Sequence, residues 1–443
     1  MQQRYDRTWM EAQVAETIEV WNDSAASHAF RGRRYSLRGQ QKREKAYDQE
    51  LRAVEREARS TRRNQAERIR SQSRLLAAFG RFSAIALDLE GEATQLLTGG
   101  FLPVGTQLAR WARQFDAGLS VADITQACRN AWTACGLQPL LGDPLAMTPS
   151  ILGYSLLYPY SDNYLDREDV STEAKLRFSQ RFRARLRGER PAAHDDRVTA
   201  LWSLVRLIEG QYPRALYPQV FDCLLAIHRA QEASIAQLSS GSDCGEAELL
   251  RLSCAKGGSS VLADACLAHG WLSEQESRFS FEWGVLLQLG DDLQDVREDM
   301  RRGSLTLFTR AAALNQPMDG LAMQLLNFGE CVGNRMDQLP NGSAMLKGLL
   351  RMSWRSLILM AVAESHEFFS REFLDEAERY SPFRFGFLRA RRQRLTGQQG
   401  LYVMLFEAFL QPGEGEDGPL PFTSQPKLLE DNRTAAYTPD DVP

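Results

Sequence analysis

From about Leu75 to Leu410, apolar residues return at steps of three and four, as at Leu201, Leu204, Val205 and Ile208. That period matches the turn of an α-helix and lines those side chains along one stripe. Short alternating runs flanked by turn residues, the mark of strands, are few. The spacing predicts an all-α fold in which long helices bury their apolar stripes against one another. Helix breaks are expected at Gly99-Gly100, Gly142-Asp143-Pro144, Gly188-Glu189-Arg190-Pro191, Ser239-Ser240-Gly241-Ser242, Asn315-Gln316-Pro317 and Pro340-Asn341-Gly342. No repeat of fixed period is present, so the helices do not read as a solenoid.

The flanks differ in composition. Residues 1–75 are polar, and signs alternate along them, as in Arg43-Glu44-Lys45 and Glu55-Arg56-Glu57. They read as an Arg/Glu-rich extension, a solvated helix or partly disordered. Within it, Arg31-Gly32-Arg33-Arg34 reads first as a solvated face, with contact to an anionic surface as the alternative. The helical domain spans residues 76–410. From Gln411-Pro412-Gly413 the chain turns to Gly, Pro, Asp, Glu and Thr, so residues 411–443 are expected to be a disordered tail.

A formal net charge of −4 over 443 residues gives no global attraction to nucleic acid or anionic lipid. Affinity for ions must therefore come from local clusters. No run of 18 apolar residues predicts a membrane span, and the start at Met1 lacks the apolar segment of a secretory signal. Cys128, Cys135, Cys223, Cys244, Cys254, Cys266 and Cys331 are scattered without close pairs, which reads as reduced thiols in a cytoplasmic protein. The five histidines lack paired spacing, which argues against a zinc enzyme.

Two acidic clusters interrupt otherwise apolar helices. In the first, Asp162, Asp166 and Asp169 step by four and then three. In the second, Asp291, Asp295 and Asp299 step by four, with Asp292 beside them and Gly290 just before. At these steps the carboxylates share one helical face, where like charges destabilise a bare helix by a few tenths of a kcal/mol per pair, roughly. A solvated acidic face is one explanation for each cluster alone. Two together suggest counter-ions, and carboxylate oxygens suit magnesium, which takes a few carboxylates, several waters and phosphate oxygens.

A metal-bound diphosphate also needs cations. Lys256 is a lone charge in Ser253-Cys254-Ala255-Lys256-Gly257-Gly258, whose small residues would let a phosphate approach. Arg206 and Arg214 lie between the two clusters. Arg379, with Tyr380 and Arg384, falls late enough to cap a site. Each also has a plain reading as a surface cation, which weighs least for Lys256 and most for Arg379. Tyr154, Leu157 and Tyr158 lie one to two turns before Asp162 on its side of the helix and would form an apolar wall, where aromatic faces can stabilise a carbocation.

At these residues the chain resembles the class I isoprenoid synthase superfamily. Gln288-Leu289-Gly290-Asp291-Asp292-Leu293-Gln294-Asp295 looks like the second acidic motif of trans-prenyl diphosphate synthases, and Gly303-Ser304-Leu305-Thr306-Leu307 looks like the continuation of that motif. Lys256 matches the phosphate-binding lysine of that family. The two clusters lie about 130 residues apart, as such motifs do. The resemblance covers roughly residues 80–400. Asp162-Asn163-Tyr164-Leu165-Asp166 departs from the usual Asp-Asp-x-x-Asp, and no Gly-Lys-x-x-Arg segment for isopentenyl diphosphate lies upstream. Arg-Arg directly after the first motif is also missing, although Arg181, Arg183, Arg185 and Arg187 follow later. The Asp291, Asp295, Asp299 spacing and Arg379-Tyr380 resemble features of terpene cyclases.

The resemblance implies a large helical bundle around a central apolar cavity, a prenyl diphosphate substrate and, by analogy with family members, a homodimer. It implies Mg2+ as three ions, two held by Asp162 and Asp166 with Asp169 assisting, and a third by Asp291, Asp295 and Asp299, with Asp292 as a further candidate ligand. Lys256, Arg206, Arg214 and Arg379 would hold diphosphate. The activity implied is a terpene synthase that ionises the substrate and cyclises or rearranges the cation. Two alternatives stay open: a chain-elongating or head-to-head prenyltransferase, and a non-catalytic scaffold of the same fold. Extra chain length only with added isopentenyl diphosphate would mark elongation. A dimeric hydrocarbon would mark head-to-head condensation, and indifference to loss of Asp162 and Asp291 would mark the scaffold.

Overall fold

The computed structural model describes residues 4–26, 29–59, 65–165, 167, 169–240 and 245–396. The disordered tail expected over residues 411–443 lies outside the described residues. Among them the fold is all-α, with no strand. The helices are α1 (Arg7–Asp23), α2 (Leu37–Arg59), α3 (Gln65–Ala86), α4 (Glu92–Leu96), α5 (Leu102–Phe115) and α6 (Val121–Leu141). There follow α7 (Pro149–Leu165), α8 (Thr172–Leu186), α9 (Asp196–Gln211), α10 (Pro218–Ser240), α11 (Glu246–His269) and α12 (Glu274–Gln294). The last are α13 (Val296–Arg302), α14 (Leu307–Ala313), α15 (Asp319–Gln338), α16 (Ala344–Glu364), α17 (Arg371–Glu378) and α18 (Phe385–Thr396).

Polar residues start these helices where the apolar stripe alone would leave the boundary loose. Ser120 with Asp123 and Ser273 with Glu276 form reciprocal caps at α6 and α12, each satisfying backbone N–H groups that the first turn leaves unpaired. Several ends fall at the expected breaks. Gly142 closes α6 in the left-handed region at φ 93°, and Gly188 and Gly342 also have positive φ. Gly99-Gly100 is different: the pair lies inside a π-helical stretch, Leu97–Phe101, that joins α4 to α5 without a break.

α11 is the hub, packed by α12, α10, α6, α1 and α7. Its second half, Val261 to Ala268, is buried on every side, Asp264 included. The approach of α12 is set by glycine. A Cβ on Gly284 would stand 2.1 Å from the Gly257 carbonyl oxygen, and one on Gly257 would stand 2.5 Å from that of Gly284. The small residues after Lys256 therefore serve helix contact rather than an open phosphate path.

The N-terminal segment is not a solvated extension throughout. Tyr5, Val14 and Trp21 enter the main core, and the Tyr5 hydroxyl hydrogen-bonds Ser277 Oγ at 2.6 Å. α2 pairs with α3, and buries Tyr47 and Leu51 against Phe383. Buried Glu44 accepts from the Arg384 guanidinium and backbone N–H, which ties α2 to the far end of the chain.

No helix among the described residues is long and apolar enough to cross a membrane. The six described cysteines are free thiols, and Cys135, Cys223, Cys254 and Cys266 are buried.

Candidate functional site

The second acidic segment spans the junction of α12 and α13. Asp295 ends one helix and starts the next at φ −95°, ψ 8°, yet its N–H still reaches the Asp291 carbonyl at 2.8 Å. The Asp299 N–H reaches the Asp295 carbonyl at 2.9 Å. Helical spacing thus survives the junction, and Asp291, Asp295 and Asp299 stay on one flank. Gly303, at φ 73°, then stops α13, and Thr306 caps α14.

Asp292 is set apart from these three. It is only 6% exposed and accepts from Ser253 Oγ at 2.9 Å and Gln288 Nε2 at 2.8 Å. Burial pushes its carboxyl up to about 6, against the hydrogen bond from Gln288 and the Lys256 charge. Expected as a metal ligand, it is oriented instead as a link between α12 and α11.

Lys256 on α11 lies close enough for its charge to act on Asp291, Asp292 and Asp299. Partial desolvation raises the Asp291 carboxyl, and Arg129 and Lys256 oppose that rise. The Asp291 side chain is 43% exposed, so solvent keeps the effect moderate. The Asp299 carboxyl is raised by desolvation and then by Asp295.

Arg129, a residue the sequence did not single out, brings a third helix to the site: its Nη2 lies 3.8 Å from Asp291 Oδ1. It stands in Ala127-Cys128-Arg129-Asn130-Ala131 on α6 with no acidic motif beside it, so nothing local marks it. The same helix reaches the first acidic segment, where Asn163 Nδ2 donates to Asp123 Oδ1 at 2.9 Å. Asp123 and Arg129 are separated by about 9 Å of helical rise. Both acidic segments therefore flank the N-terminal half of α6.

The first segment does not keep all three carboxylates on one helix. α7 ends at Leu165, and Asp169 lies in the turn beyond it, ion-paired with Arg167, which holds its carboxyl below the usual range. Asp162 is on α7, but its side chain lies outside the described residues, as do Asp166 and the side chain of Tyr158. Tyr154 and Leu157 line a cavity with Asn130, Ser161, Phe182 and His228. Its volume is about 40 Å³, enough for water rather than a substrate.

Three arginines expected to hold diphosphate are placed elsewhere. α9 runs antiparallel to α7, because the Ser150 N–H donates to Gln211 Oε1 and a Cβ on Gly153 would meet the Leu204 carbonyl. Arg206 is therefore level with the start of α7, while Asp162 is about 13 Å further along it. Arg206 donates to Ser203 and borders a cavity with Thr148 and Pro149. Arg214 pairs with Glu209 at 2.8 Å, donates to the Leu186 carbonyl and covers the Phe221 ring. Arg379 pairs with Glu376, and its carbonyl accepts from the Tyr35 N–H.

Among the described residues no three carboxylate, imidazole or thiol groups converge tightly enough to cage an ion unaided. Carboxylates four apart on a helix stand about 6 Å apart at Cβ, so one ion meets one or two of them. Magnesium is bound in this way when waters and phosphate oxygens complete its shell. The all-oxygen donor set at Asp291, Asp295 and Asp299 fits that ion.

The chain matches no family model, no curated protein and no solved structure.

Proposed function

We propose that this chain is a magnesium-dependent class I isoprenoid synthase, acting as a terpene synthase on a prenyl diphosphate. The observation that carries the reading is Arg129 Nη2 at 3.8 Å from Asp291 Oδ1, with the charge of Lys256, on another helix, acting on Asp291 and Asp299. Three exposed or half-exposed carboxylates with two cations from facing helices suit an anion and a divalent cation together better than either alone.

Bound at these carboxylates, magnesium would supply Lewis-acid charge to the departing diphosphate. Lys256 and Arg129 would hold the diphosphate oxygens and offset the negative charge that grows there as the carbon–oxygen bond breaks. Asp292, fixed by Ser253 and Gln288, links α12 to α11, the helix that carries Lys256. Apolar side chains of α7, α8 and α10 would form the dry wall, with repacking of the small cavity at Tyr154 and Leu157 to admit the chain.

The test is incubation with geranyl, farnesyl and geranylgeranyl diphosphates, with and without magnesium. Expected is magnesium-dependent release of diphosphate with a cyclic or rearranged hydrocarbon or alcohol. Failure to consume any of the three, together with no magnesium-dependent binding of inorganic diphosphate, overturns the reading. Longer prenyl diphosphates appearing only with added isopentenyl diphosphate would reassign the site to chain elongation.

A further inference from the structure

A second, larger cavity lies on the opposite side of α16. Leu357 of α16 faces α12, where a Cβ on Gly290 would touch it at 3.3 Å. Arg355 and Leu359 are each two residues away, hence about 200° round the helix, and they line a cavity of about 330 Å³ closed by residues 29–35 and α15. That volume is within the range of small-molecule sites, about 300–1,000 Å³.

The cavity has both charged and apolar lining residues. Arg31, Arg33, Arg351 and Arg355 line it with Asp88 and Glu330. Adding Arg43, 2.6 Å from Asp88, and Asp337, paired with Arg351, gives five arginines against three carboxylates. Positive charge is in excess, and Arg31 makes no ion pair or hydrogen bond among the described residues. Met323 and Leu326 lie within two turns of Glu330 on α15, and Leu359 lies one turn beyond Arg355 on α16, so apolar lining continues from the charged lining along both helices. Gly32, at φ 113°, carries the segment over Arg355, where a Cβ would meet Nη1 at 3.2 Å. A side chain there would be strained, so this close covering of the arginine depends on glycine.

We propose that this cavity binds a small anionic amphiphile, its anionic head at Arg31, Arg33 and Arg355 and its apolar body along Met323, Leu326 and Leu359. The arginines match a phosphate or carboxylate through planar, multiply donating guanidinium groups. The apolar wall excludes a bare inorganic anion as the best ligand. The site is distinct from the Asp291 flank and uses no metal.

Calorimetric titration of the full chain in EDTA, which removes any magnesium-dependent binding, tests this. The probes are decyl phosphate, decanol and inorganic phosphate. Expected is one-to-one binding of decyl phosphate, at least about 10-fold tighter than either decanol or inorganic phosphate, the factor for losing one charge-assisted contact set or the apolar body. Arg31→Gln with Arg33→Gln should weaken decyl phosphate by about 10-fold and leave decanol unchanged. Ser356→Phe, placed in the cavity wall, should block both amphiphiles. Should that variant fail to fold, the arginine pair, both exposed, still decides. No binding of decyl phosphate, equal binding of decanol, or binding indifferent to the arginine changes would overturn the proposal. Failure of the prenyl diphosphate reaction would leave it standing, because no probe here needs the acidic site.

Discussion

Arg129 Nη2 on α6 stands 3.8 Å from Asp291 Oδ1 on α12, so a cation from a third helix shares the oxygen that a metal would use. The pair is solvent-exposed on the arginine side, and such pairs are worth up to about 1 kcal/mol. Arg129→Gln should therefore let magnesium alone bind about two- to five-fold tighter. The same change should weaken magnesium-dependent binding of inorganic diphosphate. Titration calorimetry reads both, and movement of the two affinities in the same direction would contradict the shared role.

Asp291, Asp295 and Asp299 should separate from Asp292 in what they control. Asn at any of the first three should lower diphosphate release by about 100-fold or more while leaving the melting temperature within a few degrees. Asp292→Ala strands Ser253 Oγ and Gln288 Nε2 without their acceptor, at a cost of about 1–3 kcal/mol in denaturant unfolding. Loss of activity without loss of stability at Asp292 would instead make it a ligand.

The α11–α12 contact should not tolerate a methyl group. With 2.1 Å between a Gly284 Cβ and the Gly257 carbonyl oxygen, Gly284→Ala must push the helices apart, at about 1–3 kcal/mol or more. Gly348→Ala on α16 is the control: a Cβ there meets nothing within 4 Å, and helix propensity predicts a gain of up to about 1 kcal/mol. Thermal denaturation of the two variants should give shifts of opposite sign.

Glu282 gives the pH dependence a definite sign. It is 1% exposed, and burial pushes its carboxyl up to about 7 although Arg335 lies 2.7 Å away. Because the folded value lies above the ordinary 4.5, the folded chain holds this proton more tightly than the unfolded one. The stabilisation is complete below about pH 4.5 and is lost as pH rises through about 7. Glu282→Gln should flatten that part of the stability profile, measured by urea unfolding between pH 5 and 8. An unchanged slope would place the titration elsewhere.

Glu44 is 6% exposed and depends on Arg384 for its counter-charge. Arg384→Ala should destabilise the chain, since buried Glu44 then keeps only the backbone N–H of residue 384 as a partner. Limited proteolysis should then cut first within α2 or α3. A variant as resistant as the parent would show that the tie contributes little.

The helical class was legible because apolar periodicity is local, and breaks such as Gly142 and Gly342 were legible because left-handed turns favour glycine. Gly99-Gly100 misled, because a π-helical stretch absorbs what sequence alone presents as a break. The second acidic segment and Lys256 were legible as charges in apolar runs, and the lysine charge does act on Asp291, Asp292 and Asp299. Arg206 and Arg214 carried the same signal, yet Ser203 and Glu209 engage them at the far end of α7.

By itself, the sequence determined that the described chain is helical, where helices such as α6, α8, α14 and α15 stop and which flank carries Asp291, Asp295 and Asp299. Those properties follow from hydrogen bonds and side-chain spacing within a few residues. Only the tertiary structure decided that Arg129 joins Asp291, that Asp292 turns away to Ser253, that glycines bring α11 onto α12, and that Tyr5 and Trp21 enter the core. Each of these depends on which distant segments pack together, and no local period encodes that choice.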